Sequence, residues 1–462
     1  MVQLSQPGQA EEMRLEEIER IIDREGIELV RFEIPDLNGV SRGKSIAAKH
    51  FRRYVEGGLS LVSDVYCWDH ECWVAEGTGF GEDMTFADLV MKPDLGTFRV
   101  LPHVEGQARV ICDMYHSDGS PVEAAPRYVL QRLVEQAADR GLTPLLQAEY
   151  EFYLLDAATL QPPFGGTDIT TTLTNQRLPV LRRMMRTMPA LGLEPNTLNQ
   201  EWGPTQYELN FDPAIGVMAG DQCFTYKTYA KEMAEQDDLV LSFMTKPFRL
   251  TSGSSCHLHM SLFDEHGSNV YSDQTAPNGV SDQFLWSIGG QLAHGRGLSL
   301  LFGPTVNCRK RYRRNTYAPA SLTWGFENRS VAVRVKAWRG DNTHIENRGG
   351  SGSCNPYLAF AGVLAASLAG IDGRIDPGEP RTTSAYRDEG LEPPAMMLED
   401  ALDDFIKDEE LVSYFPEPFV KAFAALKRHE IDKAREASVD YGSDAWHADV
   451  TDWEREQFLR YA

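Results

Sequence analysis

LLQAEYEFYLLD, residues 145–156, sets two carboxylates, Glu149 and Glu151, at alternate positions of an otherwise largely apolar run. A strand sends residues i and i+2 to the same face. Both acids therefore share one side of a strand whose other side carries Tyr150, Phe152 and Leu154. Two like charges in a half-buried strand repel and raise each other's pKa unless a cation lies between them. The pattern predicts a sheet that binds a metal ion on one face.

Three further stretches extend the theme. EWGPTQYELNF (201–211) flanks a Gly-Pro turn with Glu201 and Glu208, which the turn would bring together. SGSSCHLHMSL (252–262) follows a Gly/Ser loop with His257 and His259 on one strand face, while Cys256 alternates to the other face and so argues against a Cys/His zinc site. THIENR (343–348) adds Glu346, and Arg348 two residues later. Five carboxylates and a histidine make an oxygen-rich set suited to Mg²⁺ or Mn²⁺. Arg311, Arg329, Arg334 and Arg348 supply planar forks for carboxylate and phosphate. Metals and arginines together suggest phosphoryl transfer from a nucleotide held mainly through its magnesium ions. GVSRGKS (39–45) is not a phosphate loop, because only three residues separate Gly39 from Gly43 where that loop needs four.

Bulk composition narrows the setting. A chain of 462 residues, 42% hydrophobic and 24% charged, is long enough for two lobes. Its formal net charge of −23 argues against nucleic-acid binding, which needs a basic face. Seven cysteines, at 67, 72, 112, 223, 256, 308 and 354, show neither a disulfide framework nor paired CxxC spacing, which fits a reducing cytoplasm. The polar, acidic N-terminus does not read as a secretory signal. YLAFAGVLAASLAGI (357–371) is short for a bilayer span and reads as a buried helix, so no membrane is expected. Against this acidic background CRKRYRRNTYAP (308–319) concentrates five basic side chains in seven residues, a knot that must serve something small and local.

Along the chain, a helix over 13–26 precedes a hairpin around DLNG, and a second strand-rich section runs through 91–115. A helix over 126–141 opens on proline and stops at glycine. The boundary is placed in HSDGSPVE, giving an N-terminal domain over 1–118 and a catalytic domain over 119–462. In the latter, strands alternate with helices over 216–239, 283–298, 356–370, 396–406 and 417–436. The fold class expected is α+β.

These residues, in this order, resemble the glutamine synthetase family over nearly the whole chain. The matching segments are DLNGVSRGKSI, EYEFYLLD, EWGPTQYELNF, SGSSCHLHMSL, PTVNCRKR, ENRSVAVRV, HIENR and CNPYLAFAGVLAASLAGIDG. The resemblance implies a small β-grasp N-terminal domain, a large catalytic domain on an antiparallel sheet flanked by helices, and stacked rings with active sites between subunits. It implies ATP and two divalent cations per site, used to make γ-glutamyl phosphate for attack by an amine. Glu151, Glu201 and Glu208 would hold one metal and Glu149, His257 and Glu346 the other. Glutamate would be gripped by Arg311, Arg348, His257 and the backbone at Gly253. Arg329 would meet the γ-phosphate, Arg334 and His344 the nucleotide phosphates, and His259 with Ser261 the nucleotide. Arg311 then explains the basic knot in part, and Arg313 and Arg314 read as solvated loop charges.

Three departures bear on the acceptor and nucleotide ends. Tyr317 stands where ammonia-using members carry a glutamate before Ala-Pro, Leu61 aligns with their ammonium-binding aspartate, and His344 stands where they have arginine. An ammonium ion without those anions would be unpaired in a partly buried pocket. The resemblance thus points to a γ-glutamyl-amine ligase, with ethanolamine or a similar small monoamine as lead acceptor and Tyr317 or Asp64 as the amine-deprotonating group. Tyr66 and Trp68 nearby suit a neutral tail. Asp64, Asp69 and Glu71 keep a polyamine acceptor open, and a true glutamine synthetase or a non-catalytic member of the fold stand as further alternatives. Tyr386 is expected to be a surface-loop tyrosine rather than a modification site.

Overall fold

The computed structural model describes residues 7–166, 169–172, 177–314 and 316–462, with side chains from residue 11 onward. The N-terminal part contains α1 (Pro7–Glu25), β1 (Leu29–Pro35), β2 (Ser41–Ala47), α2 (Phe51–Gly57), β3 (Leu59–Val62), β4 (Asp88–Pro93), β5 (Arg99–Val100) and β6 (Gln107–Tyr115). They form a sheet ordered β2-β1-β6-β4-β3, with β5 also on β6 and only β1–β6 parallel. The expected hairpin around DLNG is the β1–β2 pair. GVSRGKS lies in and beside β2, where Arg42 meets Asp36 at 2.9 Å and Lys44 donates to the Ser60 carbonyl.

After β6 come α3 (Pro126–Ala138), β7 (Thr143–Asp156), α4 (Pro179–Thr187), β8 (Pro195–Gln200), β9 (Gln206–Phe211), β10 (Ala214–Ile215), α5 (Val217–Glu235), β11 (Leu239–Ser242), β12 (Cys256–Phe263), α6 (Asp282–Ala293) and α7 (Gly295–Phe302). Then follow β13 (Trp324–Phe326), β14 (Val333–Lys336), β15 (His344–Asn347), α8 (Pro356–Gly373) and the C-terminal α9 (Leu398–Lys407), α10 (Glu409–Val412), α11 (Glu417–Ala437), α12 (Asp444–Ala448) and α13 (Asp452–Phe458). The fold is α+β. A nine-stranded sheet ordered β13-β14-β15-β12-β7-β9-β8, with β10 and β11 also on β7, carries the catalytic region. All its pairs are antiparallel except β13–β14.

The two faces of β7 do different things, as the alternation predicts. Ala148, Tyr150, Phe152 and Leu154 are fully buried. Phe152 packs on Tyr226 of α5, and the Tyr150 hydroxyl donates to the Cys354 carbonyl just before α8. Removing a cluster of this size from water supplies the main driving force for sheet–helix docking, about 2 kcal/mol per large apolar side chain. Its register holds the opposite, acid-bearing face in place.

Helix α8 is long and apolar enough to cross a membrane, yet 83% of that stretch is buried inside the protein. It packs on α3 and α6. The α6–α8 approach is close enough that a Cβ on Gly290 would lie 2.0 Å from the Ala366 carbonyl oxygen, so the contact needs a glycine there. The helix expected over 283–298 is broken at His294, whose Nδ1 sits 2.8 Å from Asp408. Gly295 and Gly297, poor helix formers, follow directly.

Candidate active site

Cross-strand register assembles the site. Glu149 of β7 pairs with His257 of β12, Glu151 of β7 with Glu208 of β9, and Glu346 of β15 with His259 of β12 on one side and Arg334 of β14 on the other. Each pair occupies a single rung of the sheet, and rungs two residues apart share a face. Five strands, spread over about 200 residues, are thereby brought to one wall of a cavity of about 860 Å³.

Two ligand triads result. Glu149, His257 and Glu346 offer atoms within 4.8 Å of one another, and so do Glu151, Glu201 and Glu208. Their electrostatics differ. Around the first triad His257 Nδ1 lies 3.2 Å and His259 Nε2 3.1 Å from Glu149. Glu346 meets Arg334 at 2.9 Å and also Arg348. Burial raises both acids, but His259 and His257 outweigh it and hold Glu149 well below the usual carboxylate range. The same histidines and Arg348 bring Glu346 down to about 2.

Among the described residues, the hydrogen bonds that hold the second triad come from neutral donors. Ser255 Oγ donates to Glu151 at 2.5 Å, Asn199 to Glu201 at 2.8 Å and Asn210 to Glu208 at 2.9 Å. Burial and then the Glu151 charge push Glu201 up to about 8, and burial with Glu149 and Glu151 lifts Glu208 well above its ordinary value. Three crowded carboxylates without a basic partner are costly unless a cation neutralises them. Their hard oxygen atoms fit Mg²⁺ or Mn²⁺, so the residues present fit the metals that the sequence implies.

The basic knot divides its labour. Arg309 is fully buried and bonds the carbonyls of Ser299, Gly303 and Ala395. Lys310 pairs with Glu454 at 2.5 Å. Arg311 lines the cavity beside Gly253 and Arg348, donating to the carbonyls of Arg348 and Gly349. Arg313 lines the cavity too, and Arg314 bonds the carbonyls of Tyr386 and Asp388, so neither is merely a solvated loop charge. Arg329 reaches the cavity mouth and a neighbouring 570 Å³ cleft.

At the mouth Tyr317, with φ +59°, is half-exposed and stacks on Trp202 at 6.2 Å and 19°. Arg348 donates to the Tyr317 carbonyl and anchors this loop.

Other expected residues lie elsewhere. Leu61 is buried in the N-terminal core on β3, opposite Leu89, and is not part of this cavity's wall. Asp64 stands by Gly81, with its Oδ1 enclosed and without a hydrogen bond. Of its neighbours, Tyr66 is buried, Trp68 is covered by Arg42, and Asp69 is bound to Lys433 at 2.6 Å, with His429 at 3.4 Å. Lys433 also approaches Glu71 at 3.5 Å. Ser261 gives its hydroxyl to the Thr343 carbonyl. The rings of His259 and His344 meet tilted, with centroids 5.1 Å apart, and burial and then His259 lower His344 to about 4. Tyr386 is half-buried with its hydroxyl on the Ala318 carbonyl, which makes it less free than a surface-loop tyrosine. Sequence reading passed over Trp202, Gln206, Lys246 and Lys336, all in the cavity wall. Trp202 and Gln206 lie inside EWGPTQYELNF, and Lys336 directly follows VAVRV, two places after Arg334 on the same face.

Residues 123–445 match the catalytic domain of glutamine synthetase. The chain belongs to the glutamine synthetase family. Relatives include the γ-glutamylethanolamide synthetase of Streptomyces coelicolor, 33% identical with 96% of each chain covered. The glutamate–isopropylamine ligase of a Pseudomonas species is 30% identical over 89% of this chain and 93% of its own. The glutamine synthetase of Thermotoga maritima is 32% identical over 97% and 100%. Among solved structures, one titled "Apo GmaS without ligand" superposes with a TM-score of 0.81 at 27% identity, covering 95% of this chain and 98% of that one. The protein is accordingly an enzyme of the glutamate–amine ligase class.

Proposed function

We propose that this family member joins the γ-carboxylate of glutamate to a short organic monoamine, of which ethanolamine is the lead. The observation that carries this reading is the Trp202–Tyr317 pair. Two half-exposed aromatic rings, close-set on each other, occupy the cavity rim next to the glutamate-side arginines. Such a rim suits the carbon tail and ammonium of an alkylamine better than a bare ammonium ion. The relatives that act on ethanolamide and isopropylamine chemistry support it. Identity alone does not select the acceptor, since the Thermotoga glutamine synthetase is nearly as similar. Asp69, bound to Lys433 and His429, is unavailable to the second amine of a polyamine.

In the proposed reaction the γ-carboxylate of glutamate takes the γ-phosphoryl group of ATP, leaving ADP. The amine then attacks the acyl carbon, phosphate departs, and the nitrogen loses a proton. Arg311 and Arg348 orient the α-carboxylate through their forks. Arg329 sits where charge builds on the transferring group, and Arg334 faces the nucleotide phosphates. Two divalent cations, when held by the two triads, would neutralise phosphate charge. Self-association into rings would let the N-terminal strands and loops of a neighbour complete the rim, because among the described residues the cavity wall in one chain comes from the catalytic region alone.

The test is phosphate release from ATP with Mg²⁺ and glutamate, offering ammonia, ethanolamine, isopropylamine, putrescine and spermidine separately, with products identified by mass. Turnover led by a monoamine supports the reading. Turnover with ammonia alone makes the protein a glutamine synthetase with an aromatic rim, and silence with every amine makes it a non-catalytic member.

A further inference from the structure

Beside the first triad, one cation of the cavity wall has no assigned role. Lys336 closes β14 two residues after Arg334, on the same face, and its partner across the strand pair is His344. Its side chain is only 16% exposed. The ammonium stands 3.5 Å from Glu327 and 3.9 Å from Glu346, beyond a good hydrogen bond to either. Those carboxylates are already engaged. Glu327 is held by Arg334 at 2.6 Å and Arg339 at 2.9 Å, and Glu346 by Arg334 at 2.9 Å and by Arg348. Four cations thus share two carboxylates at one end of the cavity. A largely buried ammonium with no hydrogen-bond partner among the described residues, facing open space, is a site for an anion.

His344 cannot supply that contact from where it stands. Its Nδ1 is 2.6 Å from the Asn342 carbonyl, its ring packs on His259, and it is absent from the cavity wall. A lysine stem of four carbons reaches into the cavity from the same rung.

We propose that Lys336 is a nucleotide-binding residue that contacts the β-phosphate of ATP, filling across the strand pair the place that an arginine at 344 would fill. This rests on the ATP-dependent ligase reading. The ligand chemistry is a polyphosphate chain with its magnesium, approached by Lys336 and Arg334 as neighbours on one strand.

The test uses Lys336→Met, which keeps the apolar stem and removes the charge, along with Lys336→Arg and the double variant Lys336→Met/His344→Arg. Binding of ADP and of AMP, each with Mg²⁺, is measured by calorimetry on the full chain without glutamate or amine, and KM values for ATP and glutamate are measured by phosphate release. Loss of a charge-assisted contact predicts ADP binding weakened about tenfold or more in Lys336→Met. AMP binding should move less than about twofold, because AMP lacks the contacted groups. Lys336→Arg should restore ADP affinity, and so should His344→Arg in the Met background, by returning a cation to the same rung. The ATP KM should rise while the glutamate KM holds. Unchanged ADP binding in Lys336→Met overturns the proposal. So does an equal loss for ADP and AMP, which would mark Lys336 as a structural ion-pair member. If the unaltered protein binds no ADP, the ligase reading falls and this inference with it. If it binds ADP and turns over but Lys336→Met behaves the same, only this inference falls.

Discussion

The second triad makes a prediction about stability that needs no knowledge of the acceptor. Burial and the neighbouring Glu151 raise Glu201 from 4.5 to about 8 in the folded chain. A carboxyl whose folded pKa lies above its unfolded one is bound to its proton more tightly when folded. Stability therefore falls as pH rises, beginning near the unfolded value and finishing near the folded one. At pH 7 the penalty has accumulated over some 2.5 pH units, about 3 kcal/mol. Direct Coulomb repulsion gives a similar size, since two charges within 4.8 Å of one another at an effective dielectric near 20 repel by about 3 kcal/mol or more. Spread over the unfolding entropy of 462 residues, that is a shift of about 3 °C in melting temperature. The assay is a thermal melt of protein stripped with EDTA, from pH 5 to 8, with and without excess Mg²⁺. The metal-free midpoint should fall with pH, Mg²⁺ should restore it, and Glu201→Gln should flatten the metal-free slope while weakening the response to Mg²⁺. A flat metal-free profile, or full Mg²⁺ stabilisation of Glu201→Gln, refutes the view that a divalent cation relieves this triad.

Three other outcomes are expected. Trp202→Ala should raise the KM for alkylamines about five- to tenfold, with Trp202→Phe close to the unaltered protein in initial-rate measurements. A change confined to the glutamate KM would count against an aromatic rim. Gly290→Ala forces a Cβ to 2.0 Å from the Ala366 carbonyl and should cost about 1–3 kcal/mol, seen as an earlier urea midpoint; an unchanged midpoint would mean that α6 and α8 can separate freely. Glu454→Ala should cost about 3–5 kcal/mol in the same measurement, because it strands the buried Lys310 ammonium now held at 2.5 Å, whereas Lys310→Met with Glu454→Leu should recover much of the loss.

What the sequence revealed follows from what a sheet does. Glu149 and Glu151 were readable as a pair because a strand's period of two leaves no choice about which side chains share a face, and the glycine and proline of EWGPT marked the turn that returns Glu208 to them. The split at His294 was not readable, because an apolar run gives the same signal for one helix or two, and the break depends on Asp408, more than a hundred residues away. Arg309 and Lys310 were not separable from Arg311 by composition. The short 3₁₀ turn over Asn307–Arg311 sends Arg309 into the core, sets Lys310 on Glu454 and brings Arg311 to the cavity.

The acceptor end resisted for a related reason. Glu149, Glu151, Glu208, His257, Arg334 and Glu346 stand on β7, β9, β12, β14 and β15, where hydrogen-bond register fixes each side chain relative to its neighbour. Tyr317 stands on a loop, in a left-handed backbone conformation that a bulky residue adopts only when its surroundings hold it there. What holds it is visible only in three dimensions: Arg348, an arginine of the cavity wall, donates to its carbonyl, and Trp202, adjacent to Glu201 of the second triad, stacks on its ring. The rim is therefore mechanically tied to both Arg348 and the crowded carboxylates. A substrate that draws Arg348 toward its carboxylate would loosen the hold on Tyr317, and cation binding at Glu201 would shift Trp202. In such an arrangement the acceptor site takes its final shape only once the donor site is filled, which favours attack by the amine on a finished acyl phosphate over its entry into an empty cavity.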